Sequence, residues 1–349
     1  MRVLVTGASG FIGGRILEVL SQYEGYEPVA GIRRWASAAR LGRLPVEVRQ
    51  IDITDADMTR DAMRGIEAVV HCAVGDLETT VGGTRNVLAA ALEEGVARVC
   101  HLSTVEVYGT ETGLVREDDP VRRSGEAYAD AKVGAEEVAR DYSAQGLPLI
   151  ILRPAIVYGP FSTNWTERIA ERLVSGQWRR LGSLDGICSA VYIDDVVAAV
   201  LRALETEAAV GGAFNVIGPE TVSWDEFYAT FNELLGLPPL RRRLPLLWHA
   251  RAALVAPIRF GARTSMEVNP DLVMDLYTRW SVVKWLARKV ERLVKATPPG
   301  AQLALFRRTA TYDMTRAREV LGYEPRYDLR SGLELAVQWF RHHSGLGLS

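Results

Sequence analysis

The chain has 349 residues, 48% hydrophobic and 24% charged, with a formal net charge of −2 at pH 7. That composition fits a globular protein of two lobes or one large domain, and the near-neutral balance excludes a global attraction to nucleic acid. Three cysteines (Cys72, Cys100, Cys188) form no C-x-x-C pair and leave an odd thiol, so buried thiols are expected rather than a disulfide framework or a metal site.

The first stretch, "RVLVT", reads as a strand buried on both faces, and "GGRILEVLSQY" places Ile16, Leu17 and Leu20 at helical spacing. Gly7, Gly10 and Gly13 therefore lie on a strand-to-helix turn. Such a turn aims free backbone N–H groups and the positive end of a helix dipole at one spot, which suits a pyrophosphate. Gly7 permits the tight turn, Gly10 lets phosphate approach the backbone, and Gly13 lets the helix close on the strand. The spacing is G-x-x-G-x-x-G and no Gly-Lys-Ser/Thr follows, which argues against a nucleoside-triphosphate loop and for a dinucleotide. The same glycines interrupt any secretory leader, and no run of 18 apolar residues occurs, so a cytoplasmic chain without a spanning helix is expected.

"YEPVAGIRR" is the second strand. An acidic residue at its end would bind the adenosine ribose of NAD, but Arg33 and Arg34 stand there, and guanidinium groups accept a 2′-phosphate. NADP is therefore preferred, with NAD as the alternative. "VEVRQIDITD" supplies a third strand leading to Asp52 at the adenine, and "AVVHCAVG" a fourth, whose small residues let the chain pass the cofactor.

Further on, "YADAK" puts Tyr128 and Lys132 four apart, on one face of a helix. A phenol with a pKa near ~10 is a poor acid–base group at neutral pH. An ammonium at ~4 Å would favour phenolate by about 4 kcal/mol at an effective dielectric near 20, which is roughly 3 pK units. Thr104, at the end of the preceding strand in "VCHLSTVEVYG", can donate a hydrogen bond to a substrate oxygen beside Tyr128.

Taken together, "TGASGFIG", "DITD", "GTRNVLAAALEEGVARVCHLSTVEVYG", "YADAK", "LRPAIVYGP", "VYIDDVVAAVLRAL" and the late "YDMTRAREVLGYEP" resemble the extended short-chain dehydrogenases/reductases, the NAD(P)-dependent epimerase/dehydratase superfamily. The resemblance implies an α/β fold: a Rossmann-type doubly wound parallel sheet with a smaller, helix-rich substrate lobe. It places the NADP-binding domain at 1–158 and 189–219, and the substrate lobe at 159–188 and 220–349. It implies catalytic roles for Thr104, Tyr128 (acid–base), Lys132 and Glu106. The implied cofactor-binding set is Gly7, Ser9, Gly10, Phe11, Ile12, Gly13, Arg33, Arg34, Asp52, Ile53, Ala73, Val74, Tyr128, Lys132 and Pro154, the last beside the nicotinamide carboxamide.

Three positions depart from the family pattern. Val105 stands where dehydratases carry an acid, which disfavours dehydration. Ile156 and Cys188 replace an asparagine and an arginine that grip the phosphates of nucleotide sugars, and "HCAVGDLETTVGGTRN" is short by roughly ten residues against the family's usual pattern. The expected activity is hydride transfer between NADP(H) and a secondary alcohol or ketone. The alternatives are a nucleotide-sugar epimerase with tightly held cofactor and a non-catalytic NADP-sensing binding protein.

In the second lobe, "GGAFNVIG" reads as a strand returning to the main sheet, and "VSWDEFYATFNELLG" as a helix burying Trp224, Phe227, Phe231 and Leu235. Between residues 241 and 295 arginines interleave with tryptophans. This is read first as a solvated basic face, with a substrate cap or peripheral contact with an anionic membrane as functional alternatives. His342 and His343 read as part of a terminal tail. A small-molecule substrate is the expected partner, nucleic acid is not, and the family's habit of pairing through the helix of Tyr128 makes a homodimer an expectation.

Overall fold

The computed structural model describes residues 1–109, 112–176, 180–181, 185–240, 242–243 and 300–344. The basic, Trp-containing segment 241–295 lies outside the described residues apart from Arg242 and Arg243.

The N-terminal half alternates strand and helix: β1 (Arg2–Thr6), α1 (Phe11–Leu20), β2 (Glu27–Ile32), β3 (Glu47–Gln50), α2 (Ala56–Met63), β4 (Ala68–His71), α3 (Leu77–Glu93) and β5 (Arg98–Leu102). There follow β6 (Gly113–Val115), α4 (Ala127–Ala144), β7 (Leu149–Pro154), β8 (Ile156–Tyr158), α5 (Arg168–Val174), β9 (Arg180–Leu181), β10 (Ile187–Cys188), β11 (Ala190–Tyr192) and α6 (Ile193–Glu205). The chain continues through β12 (Ala213–Val216), β13 (Val222–Ser223), α7 (Trp224–Leu234) and β14 (Arg242–Arg243). It closes with α8 (Gly300–Arg307), β15 (Ala310–Tyr312), α9 (Thr315–Leu321) and α10 (Leu329–Ser344).

Seven strands form one parallel sheet in the order β12-β7-β5-β4-β1-β2-β3. Strand order reverses beside β1, so a crevice opens at the carboxyl ends of β1 and β4, where such sheets take their ligands. Central strands read as continuous apolar runs because both faces are covered: Val3, Leu4 and Val5 have no exposed surface. One face packs Leu4, Val69 and Val99 against Val87 and Leu88 of α3 and Val138 of α4. At roughly 1.5–3 kcal/mol for each large side chain buried, this layer supplies much of the folding free energy.

The chain divides into two units. The first gathers Met1–Trp165, Ser189–Thr221 and Thr309–Ala336; the second is drawn from Thr166–Cys188, Val222–Arg308 and Val337–Ser349. Residues 309–336, placed in the substrate lobe from sequence, sort with the first unit because β15 pairs in parallel with β6. In the second unit, α7 opens with a reciprocal Ser223–Glu226 capping box. It buries Trp224, Phe227 and Phe231 completely, with Phe306 edge-on to Trp224 at 4.8 Å. His342 and His343 fall in the last turn of α10, not in a tail, and His343 stacks on Trp339 at 4.8 Å.

Candidate active site

The glycine turn is shaped by contacts that a side chain would destroy. Gly7 has φ +67°, and a Cβ there would lie 3.0 Å from the Ala73 backbone. At Gly13 a Cβ would lie 2.5 Å from the Gly7 carbonyl. The turn therefore closes on α1 and on the end of β4, and Gly10 stands extended and exposed at the head of α1. These residues fit a pyrophosphate: the cradle is backbone, and α1 begins on it with Gly10 as N-cap and no side chain capping its first N–H groups. Ser9, Phe11 and Ile12 share the turn, partly buried, while Ala73 and the exposed Val74 follow β4.

Arg33 and Arg34 are exposed immediately after β2. Asp52 is held below the usual carboxylate range by the Thr54 hydroxyl and backbone N–H, helped by both arginines. Ile53 is buried, its side chain spent on packing against Gly83 of α3, and Asn86 donates to its carbonyl at 2.9 Å. Pro154 ends β7 and is buried beside Val216 of β12.

At the end of β5, Thr104 is 7% exposed and caps a short turn over Val105–Tyr108, accepting from the Glu106 N–H at 3.3 Å. On α4, Tyr128 lies close enough to Thr104 and Glu106 for both to act on its phenol. The Tyr128 residue is 51% exposed. Its pKa is raised, first by desolvation and then by the Glu106 carboxylate, with Thr104 acting the other way.

This corrects the expectation that Lys132 lowers the phenol. Lys132 is 4% exposed and donates to the Leu102 carbonyl at 2.6 Å. Burial pushes its pKa down to about 8, against the opposing pull of Cys72 and Glu136. Tyr128 is shifted by burial first, then by Thr104 and Glu106, while the Lys132 ammonium is held on the Leu102 carbonyl.

Beneath Lys132 lies a layer that the sequence reading passed over. His71 and His101, paired across β4 and β5, have ring centroids 5.3 Å apart and are 1% exposed. Thr84 gives its proton to the Thr80 carbonyl at 2.6 Å, so it accepts from His71 Nε2 at 3.0 Å. The other nitrogen, Nδ1, then accepts from the Thr6 hydroxyl at 2.7 Å. Burial and Lys132 push His71 down to about 3, keeping it neutral. His101 is lowered likewise, and neither of its ring nitrogens has a partner among the described residues. Cys72, read as buried, is partly exposed because β4 ends one residue before it; Cys100 and Cys188 are buried as expected.

Helix α4 is locked to the sheet by a buried ion pair. Glu136, one turn beyond Lys132, receives Arg153 Nε at 2.9 Å and Nη2 at 2.7 Å. Arg153 Nη1 also donates to the Tyr108 hydroxyl at 2.6 Å, and that hydroxyl donates to Asn215 Oδ1 at 2.9 Å. One network thus joins α4, the turn after Thr104, β7 and β12. Arg40 is a further residue missed from sequence: its guanidinium donates to the Gly10 carbonyl at 3.0 Å and lies where a Gly14 Cβ would be, 2.8 Å away. A fourth glycine directly after Gly13, unexplained by the phosphate turn, was the available signal.

A sequence model described as the NAD dependent epimerase/dehydratase family matches residues 3–217. The chain belongs to that family. It is 25% identical over 358 residues to a putative dihydroflavonol 4-reductase of Synechocystis sp., covering 97% of this chain and 94% of the relative. It is 24% identical to a 2-alkyl-3-oxoalkanoate reductase of Stenotrophomonas maltophilia, covering 95% and 97%. Among solved structures, UDP-glucose 4-epimerase of Thermotoga maritima shares the fold with a TM-score of 0.73 at 22% identity, covering 98% and 99%. The family assignment makes the chain an enzyme of the short-chain dehydrogenase/reductase superfamily. Among the described residues, no helix is long and apolar enough to cross a membrane.

Proposed function

We propose that this enzyme is an NADP-dependent oxidoreductase acting between a ketone and a secondary alcohol, and that it runs as a reductase. The placing of Thr104 at the end of β5, close enough to act on the Tyr128 phenol, carries the reading, because two hydroxyls near one strand end can hold a single carbonyl oxygen. When bound, the reduced nicotinamide supplies hydride to the carbonyl carbon. The Thr104 hydroxyl orients the substrate oxygen, and the Tyr128 hydroxyl gives it a proton. A phenol at its ordinary pKa of ~10 is protonated at neutral pH, and the upward shift at Tyr128 keeps it so, which suits proton donation. Lys132, one turn further along α4, would bind the nicotinamide ribose by exchanging its bond to the Leu102 carbonyl for the ribose hydroxyls. Arg33 and Arg34 would read the 2′-phosphate that distinguishes NADP.

Val105 argues against dehydration, and Ile156 together with Cys188, which is fully buried and offers no polar phosphate contact, supports reduction of a non-nucleotide ketone. Two relatives of near-full coverage are named as reductases. A second reading, epimerisation of a nucleotide sugar, draws on the Glu106 carboxylate that acts on Tyr128 at the same mouth, and on solved relatives that are UDP-sugar epimerases.

Denaturing the purified protein and separating the released small molecules divides these readings. A chain that comes empty, takes up NADPH and exchanges it is a reductase. Stoichiometric NAD(P) retained through purification, with a nucleotide sugar beside it, overturns that in favour of the epimerase.

A further inference from the structure

Phe161, in the turn after β8, has φ +67° and is the one residue other than glycine with a positive φ among those described. An aromatic side chain in the left-handed region is strained, and the surrounding structure must hold it there. What the ring meets is Arg40: the guanidinium sits 4.0 Å from the ring centroid, with Arg43 further out at 5.9 Å. The same guanidinium spans to the first turn of α1 through Gly10 and lies over Gly14. Its Nη2 reaches Glu18 at 3.4 Å, and its buried Nε has no partner among the described residues. Around this point three guanidiniums (Arg15, Arg40, Arg43) face two carboxylates, Glu18 and Asp194, leaving one excess positive charge beside the helix head.

We propose that Arg40 and Phe161 form a clasp across the head of α1 that sets how fast the dinucleotide leaves. Three observations meet in it. Gly14 makes room for the guanidinium, the strained turn delivers the ring to it, and the excess charge stands beside the pyrophosphate cradle. Cation–π stacking ties the 159–162 turn to the glycine turn, so release requires the stack to part. The inference rests on the dinucleotide reading of the glycine turn and concerns exchange, not chemistry.

The test is the NADPH dissociation rate of the full chain, read by stopped-flow fluorescence on chasing bound NADPH with excess NADP+. Phe161→Gly removes the ring and relaxes the backbone, so it should fold as well as the parent, with an unchanged or higher Tm. Arg40→Gln removes the cation. Each should speed release roughly 5- to 30-fold, the range expected for a partly desolvated cation–π contact. The double variant should be no faster than the faster single, because both remove one interaction. Release unchanged in Phe161→Gly, or effects that multiply in the double variant, overturns the clasp while leaving the reductase reading intact. A parent chain that binds neither NADPH nor NADH overturns both.

Discussion

Tyr128 and Lys132 are one helical turn apart yet sit in different surroundings, and the difference assigns their work. Tyr128 is half exposed, with Thr104 and Glu106 acting on its phenol, whereas Lys132 is sealed under the strand ends on the Leu102 carbonyl. Tyr128→Phe keeps the ring and removes only the transferable proton. It should lower kcat/KM by about 1,000-fold or more, within the range of lost general acid catalysis. NADPH affinity by fluorescence titration should change less than about 3-fold, because the phenol adds little to ground-state binding; turnover retained in this variant removes Tyr128 from the acid–base role. Arg33→Asp, tested by the same titration, should weaken NADPH by tens of fold and NADH far less, since a carboxylate repels a 2′-phosphate that only NADPH carries. Equal losses would mean that Arg33 does not read that phosphate.

Lys132 also has a thermodynamic signature. Its folded pKa is near 8 while its ordinary value is 10.5, so below about pH 8 the protein carries the full penalty of a buried ammonium. Between the two values the unfolded chain holds more protons, and stability rises with pH. Lys132→Met should therefore raise Tm at pH 7 while abolishing turnover, and the gain should shrink as pH approaches 10. A Tm that falls at pH 7 would show that the Leu102 hydrogen bond outweighs the buried charge.

At the scale of elements, the glycine turn and α4 are the two supports of the site. A Cβ at Gly13 would meet the Gly7 carbonyl, which is backbone and cannot swing aside. Gly13→Ala should therefore push α1 off β1, costing about 1–3 kcal/mol of stability. Dinucleotide affinity should fall with it; thermal melts with and without NADPH read both. Strand-to-helix alternation, the glycine turn and the Tyr128–Lys132 spacing were legible because each is a local rule of backbone or periodicity. The direction of Lys132 was not, because it depends on which carbonyl the helix brings within reach. The same holds for the His71–His101 layer: both histidines lie in runs that read simply as buried strand, and only the register of β4 on β5 brings their rings together. Arg40 likewise lies in a segment with no periodic signal, and its role emerges from a contact with a turn 121 positions later in the chain.

Across the whole molecule, the family pattern carried the parallel sheet and its crevice, while the assignment of 309–336 depended on a non-local pairing of β15 with β6. Such pairings leave no trace in local composition. The departures at Ile156 and Cys188 are a whole-molecule argument for the proposed reductase, since each lacks, at a separate point, the polar group that would grip a nucleotide sugar's phosphate.

The place of β12 at the rim of the sheet has a consequence for biosynthesis. Its neighbour β7, "LIILRP", is buried along all six residues, yet it stays an open edge until residues 213–216 are made. At about 5–20 residues per second, the ribosome leaves that apolar edge unpaired for roughly 3–12 seconds. Unpaired apolar edges recruit other chains, so the nascent protein passes through a window in which a holding chaperone matters more than folding speed. A chain stopped at residue 210 should remain trapped in that window: expressed beside one stopped at residue 240, it should go predominantly to the pellet while the longer one keeps more soluble material. Equal partitioning would mean that the edge is shielded before β12 arrives.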